Sequence, residues 1–364
     1  MKIKVDLSFV IPVALLTVIG FGVLLSASFI IGKENFDDPY HYLKHQLLFG
    51  GVLGLIFAFF ASKINYHFWE KASLFIIFGA IIGMILVFTP LGMELNGARR
   101  WIDIGGITFQ PSEFFKLAAI IYFSAWISRK GKQVNSWSVG YIPILIMLIV
   151  VFTLFFFQKS TSATIITIFS LGVIYFLSKV KMRFVVVSVI LAILGFGLFI
   201  SLGSHQMPRI LSYLGIGNEP ESRDYHINQA LIAIGSGGIT GVGYNNAVSK
   251  YNFLPEPMGD SIFAVIAQEF GFIGSLIIIG FYILIFLRGM RIAMNSPDKF
   301  AQLLTAGIIV MVTIQAFVNI ASMCKLMPLT GQPLPFLSYG GTNLAVLLTS
   351  MGIIANISKY MRKA

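Results

Sequence analysis

At 364 residues, with 57% of them hydrophobic, 11% charged and a mean hydropathy of +0.85, the chain carries more apolar surface than a soluble core can absorb; soluble domains are about 25% charged. The formal charge of +11 raises nucleic acid as a partner, but sorting the charges by loop removes the need for one. With the N-terminus placed in the cytoplasm, sixteen of the 26 basic residues and three of the 15 acidic ones fall on the inner side, as the positive-inside rule requires.

A spanning helix needs about 20 apolar residues. The first such run, 8–31, follows Lys2 and Lys4 and is too long for a typical signal-peptide core, so it is expected to remain as a helix. Runs at 45–62 and 71–90 come next. A polar segment then spans Asn96 to Lys116, NGARRWIDIGGITFQPSEFFK. Arg99 and Arg100 offer planar, permanently charged forks suited to phosphate or carboxylate. Pro111 suits the first turn of the next run, 111–127, where Glu113 and Lys116 are spaced as an i, i+3 pair. Runs at 141–157 and 161–178 are separated only by Gln158, Lys159 and Ser160, so one broken segment is an alternative reading there. The seventh run is 184–203.

The connection from 204 to 259 is long for a loop, and loops of that length usually carry function. The stretch Tyr225 to Ile234 has apolar residues at helical spacing, which predicts a short interfacial helix. The second polar segment, YNFLPEPMGDSIFAVIAQEFGFIG, covers Tyr251 to Gly274. Pro255 and Pro257 prevent an earlier helical turn, placing Asp260 in or near the first turn of the run 260–287. The helix N-terminus favours its ionised form, and partial burial at the membrane boundary opposes that, a balance suited to a general base. Dipole complementation by Asp260 and capping by Glu256 is the plainer alternative. Glu269 sits about 13 Å deeper by helical rise and there needs a partner or a wet cavity.

The ninth and tenth runs, 300–324 and 340–358, flank a third segment, MPLTGQPLPFLSYGGTN, from Met327 to Asn343. Prolines this dense forbid a regular helix, and irregular backbone beside a membrane must be buried or line a cavity. The reading is therefore an all-α integral membrane protein, one domain over 1–364, with ten transmembrane helices, a large outer loop between helices 7 and 8, and both termini cytoplasmic. Cys324 is the only cysteine, so no internal disulfide and no cysteine-based metal site can form.

Together, NGARRWI with QPSEFFK, the stretch IAIGSGGITGVGYNNAVSKYNFLPEPMGDSIFAVIAQEFGFIG, and LMPLTGQPLPFLSYGG resemble the SEDS family of shape, elongation, division and sporulation proteins, which includes FtsW and RodA. The resemblance implies a peptidoglycan glycosyltransferase of the bacterial cytoplasmic membrane, acting on lipid II at the outer face. It places the family's essential aspartate on Asp260, with Glu256 as the motif glutamate. Arg99, Arg100 and Lys116 are then candidates to balance the diphosphate leaving group. Glu113, Lys250, Glu269 and Ser338 complete the expected substrate-binding set. Lys250 and the Asn228 to Gly238 region look more like FtsW than RodA, which favours the division branch. The resemblance also implies a class B penicillin-binding protein and other division proteins as partners, and no organic cofactor, with a divalent metal ion left open. Met258 and Gly259 depart from the family's usual histidine and threonine, and Gln268 from one of its paired glutamates, which bears on substrate tuning and any metal ligand set. An elongation polymerase of the RodA type, a lipid II flippase and a recruiting scaffold are the competing readings.

Overall fold

The computed structural model describes residues 5–95, 97–105, 107–202, 213, 221–251 and 253–361. Much of the expected outer loop, residues 204–212 and 214–220, lies outside them. Helices occupy each of the ten predicted runs: α1 (Leu7–Phe36), α2 (His41–Lys63), α3 (His67–Leu86), α4 (Pro111–Lys130), α5 (Trp137–Phe157), α6 (Thr161–Leu177), α7 (Met182–Leu202), α9 (Ile262–Met294), α10 (Lys299–Met323) and α11 (Gly341–Ser358). Between α7 and α9, helix α8 (Glu221–Ser236) contains the predicted interfacial stretch. Seven of these helices, α1, α2, α3, α5, α9, α10 and α11, are long and apolar enough to cross a membrane. Helix α6 and the apolar part of α7 are shorter, and α4 carries Glu113, Lys116, Arg129 and Lys130.

The runs 141–157 and 161–178 form two separate helices. Lys159, with φ 54°, turns the chain between them, and its left-handed backbone ends α5.

The first polar segment corrects the all-α expectation. It folds as a three-stranded antiparallel sheet, β1 (Gly92–Leu95), β2 (Ala98–Ile104) and β3 (Ile107–Phe109), in the order β1-β2-β3. Alternation in ARRWIDI favours this: Ala98 and Ile102 are buried, while Arg99 faces out opposite Glu94. A cross-strand pair at 3.3 Å joins Arg99 Nε to Glu94 Oε2.

Helix α10 is the centre of the bundle and is buried along most of its length, whereas α3 is mostly uncovered. It packs on α9 and α6, while α11 lies along α2. Small residues set that last distance, as is usual where helices associate in lipid. A Cβ on Gly352 would stand 2.4 Å from the Ala58 carbonyl oxygen, so only glycine allows this approach.

Helix α9 is interrupted at Gly271 (φ 67°, ψ −164°). The break releases backbone groups, and the loop after α8 takes them up. Val242 N donates to Gln268 O and Gly243 N to Glu269 O, while Phe272 N and Ile273 N donate to Gly238 O and Ile239 O. The glycine cluster of the long loop is thus stitched into the broken helix, which satisfies polar backbone at membrane depth.

Candidate functional site

The second and third polar segments meet around the N-terminal end of α9, and the first reaches the third through Lys116 and Gln315. Asp260 lies one residue before the cap, Ser261, and two before the first helical residue, so it precedes the helix where the sequence put it in or near the first turn. The residue is half-buried, and its Oδ1 is buried. The backbone on either side is fixed by other elements. Tyr339 N donates to Met258 O at 2.8 Å, Ser338 Oγ to Gly259 O at 2.6 Å, and Asn319 Nδ2 to Asp260 O at 2.7 Å. Three consecutive carbonyls therefore accept bonds from the third segment and α10, which leaves the main chain at Asp260 little freedom.

The third segment runs beside the carboxylate: a Cβ on Gly331 would stand 3.9 Å from Asp260 Oδ2. Asn319 also donates to Gln332 O at 2.8 Å, and Ser338 Oγ accepts from Leu334 N at 2.8 Å. Gln46 of α2 clasps the end of the segment, donating to Ser338 O at 3.3 Å and accepting from Gly340 N at 2.9 Å. The Tyr339 phenol is pushed up to about 12 by burial, so it stays a neutral donor or acceptor, 3.0 Å from His45 Nδ1. Glu256 (φ 49°) and Phe336 (φ 66°) both hold left-handed backbone, a conformation that costs about 1–3 kcal/mol in non-glycine residues and gathers at functional sites.

The first segment connects through a buried polar chain. Lys116 Nζ lies 2.9 Å from Glu113 Oε1 and donates to Gln315 Oε1 at 2.9 Å; Gln315 Nε2 donates to Pro333 O at 3.0 Å. A second buried cluster joins the long loop to α1 and α9. Lys250 Nζ donates to Ser26 Oγ at 2.8 Å and Asn245 Oδ1 at 2.7 Å, and pairs with Glu269 Oε1 at 3.1 Å; Ser26 Oγ donates to the same carboxylate. Glu269 thus has the partner its depth demands. Beside it, Gln268 accepts from Ser249 N and Oγ and donates to Ser236 Oγ.

Of the predicted substrate contacts, Glu113, Lys116, Lys250, Glu269 and Ser338 are buried among protein groups, whereas Arg99 and Glu256 face outward. Arg100 reaches from β2 to the turn after α5, donating to Gln158 O and Lys159 O at 3.0 and 2.6 Å. Among the described residues no three His, Cys, Asp or Glu side chains come together as a metal ligand set. Sequence reasoning missed Gln46, His226, Gln315 and Asn319. The spacing of Gln315 and Asn319 at i, i+4 in an otherwise apolar helix was the signal available, since polar side chains inside a spanning helix rarely lack a function.

Residues 6–363 match the family model described as "Cell cycle protein", built on FtsW, RodA and SpoVE. Stage V sporulation protein E of Bacillus subtilis is 36% identical over 363 residues, covering 99% of both chains. The probable peptidoglycan glycosyltransferase FtsW of Trichlorobacter lovleyi is 35% identical over 371 residues, covering 99% of this chain and 94% of its own. Among solved structures, the rod shape determining protein RodA of Thermus thermophilus superposes with a TM-score of 0.71 at 23% identity, over 99% of this chain and 98% of its own. A chain of a peptidoglycan synthase complex that coordinates polymerization and crosslinking gives 0.79 at 24% identity, over 97% of each. At such identities these two likenesses speak for the fold.

Proposed function

This chain belongs to the FtsW, RodA and SpoVE family of cell cycle proteins, and from that premise we propose that it is a peptidoglycan glycosyltransferase. Its substrate is lipid II, joined into glycan strands at the outer face of the bacterial cytoplasmic membrane. The observation that carries the reading is the fixed backbone of a half-buried acid: Asp260, with its own carbonyl and the two before it held by Asn319, Ser338 and Tyr339. A general base is effective only when held within hydrogen-bond reach of the proton it takes.

In the reaction, Asp260 takes the proton of the acceptor sugar's 4-hydroxyl. The oxygen then bonds to the donor's anomeric carbon, and undecaprenyl diphosphate leaves with the electron pair of the broken bond. Charge builds on the leaving diphosphate, and cations near it lower the barrier. Arg99 is the outward-facing cation of the first segment and takes that role. Lys116 and Lys250, both buried in ion pairs, hold the walls of the site, and Glu256, over the loop before Asp260, faces the substrate.

The proposed topology has ten spans, with α4, α6 and α7 joining the seven long apolar helices. Both termini are cytoplasmic, and the sheet, α8 and the Asp260 loop lie outside. The FtsW-named relatives support a division role, and a cross-linking penicillin-binding protein is the partner that a strand polymerase requires. The test is to give the purified protein lipid II in liposomes. Glycan polymer is the expected product, and transfer of lipid II between leaflets without polymer would replace the enzyme with a flippase.

A further inference from the structure

One side chain of helix α8, His226, reaches the Asp260 loop. His226, 8% exposed, places Nε2 2.6 Å from the hydroxyl of Ser261, which is itself fully buried. That hydroxyl lies 2.8 Å from Pro255 O. A carbonyl oxygen can only accept, and a serine hydroxyl has one hydrogen, so Ser261 donates to Pro255 O and His226 donates its Nε2 hydrogen to Ser261 Oγ. Burial lowers the affinity of this imidazole for a second proton, so the group is the neutral, Nε2-protonated form.

The clasp has a specific mechanical consequence. Pro255 O and Ser261 Oγ close the loop that holds Asp260, and Ser261 N and Gly259 N both return to Glu256 O, at 3.2 and 3.0 Å. The residue after the carboxylate is therefore pinned from the side of α8, while the residues before it are pinned by the third segment. Without the imidazole donor, the Ser261 hydroxyl can rotate away from Pro255 O, and the loop loses the tie that orients Asp260 from this side.

Resting on the glycosyltransferase reading, we propose that His226 is a positioning residue for Asp260, acting through the Ser261 hydroxyl to hold the general base toward the acceptor sugar. It touches no reacting atom. Its contribution is orientation, which is felt in turnover more than in substrate binding.

The experiment compares lipid II polymerisation by the wild type, His226→Phe, His226→Gln, Ser261→Ala and the double variant His226→Phe/Ser261→Ala. Phenylalanine keeps the bulk and removes the donor; glutamine keeps an N–H of similar reach. Expected are a fall of about tenfold or more in kcat for His226→Phe and for Ser261→Ala with KM within about twofold, recovery in His226→Gln to within about threefold of wild type, and a double variant no slower than the worse single. Nitrogen-15 and carbon-13 spectra of histidine-labelled protein, assigned by difference against His226→Gln, should show the Nε2-protonated tautomer for His226 and its loss in Ser261→Ala. The spectrum reads the clasp independently of activity. A polymerising wild type with unchanged His226→Phe, with His226→Gln as slow as His226→Phe, or with multiplying single effects overturns the positioning role alone. A wild type that makes no polymer overturns the glycosyltransferase reading and this role together.

Discussion

Lys250 and Glu269 face each other 3.1 Å apart with side chains only 1% and 0% exposed, and the pair ties the long loop to the lower end of the first half of α9. The lysine's three N–H groups all find acceptors, in Ser26, Asn245 and Glu269. Removing one partner strands the other charge away from water, which costs about 3–5 kcal/mol. Lys250→Met is therefore expected to lower the unfolding midpoint sharply, and the double change Lys250→Met/Glu269→Leu to recover most of the loss. Thermal unfolding in detergent, followed on the purified variants, checks both.

Asn319 holds two carbonyls, Asp260 O and Gln332 O, with one amide. Asn319→Leu leaves both acceptors without that donor, at a cost of about 1–3 kcal/mol for each that stays dry. Because one of them belongs to the proposed base, polymerisation should fall by more than the loss of folded protein accounts for. Activity per folded molecule, with folded protein counted by size exclusion, separates the two effects.

Two glycines of α9 should respond in opposite directions to alanine. Gly271→Ala forces a side chain onto a backbone with φ 67° and brings its Cβ within 2.3 Å of Gly241 N, so the stitched loop must move. The loss should exceed about 2 kcal/mol, the middle of the range for left-handed strain alone. Gly280 has nothing within 4 Å of an added Cβ and sits in regular helix, so Gly280→Ala should stabilise by about 0.5–1 kcal/mol. Paired unfolding curves decide this.

How much of this was readable beforehand varies by element. Apolar runs locate helices because a bilayer imposes length and composition together, and α1 to α7 and α9 to α11 lie where those runs predict. The sheet escaped because its strands are short and its alternation is confined to a few residues such as Ala98, Arg99 and Ile102. Asp260 and Glu269 stood out as carboxylates where carboxylates are costly. Asn319, Gln315 and Gln46 did not, since an amide in an apolar run signals a contact without naming the carbonyl it will meet; those carbonyls come from a proline-rich stretch that only the fold brings alongside. Glu113, Lys116 and Lys250 were legible as charges, and their burial was not, because it depends on neighbours distant in sequence.

Burial depresses the proton affinity of His226, so its folded-state pKa lies below the ordinary value of about 6.5. Above that value both folded and unfolded chains hold it neutral, and its contribution to stability is fully present. As pH falls below about 6.5 the unfolded chain takes up a proton that the folded chain resists, and stability declines until the folded value is reached. His226→Gln should therefore flatten part of the acid side of a plot of melting temperature against pH between 7.5 and 5. An unchanged slope would count against a buried, neutral imidazole.

The most direct measurement is lipid II polymerisation by Asp260→Asn beside the wild type. The substitution preserves size, and the bonds that fix this stretch from Asn319, Ser338 and Tyr339 go to main-chain carbonyls, so those bonds should survive it. Loss of the base should cost at least about 100-fold in rate, within the range for a positioned general base. Folded Asp260→Asn protein that polymerises at a rate near that of the wild type would contradict the account.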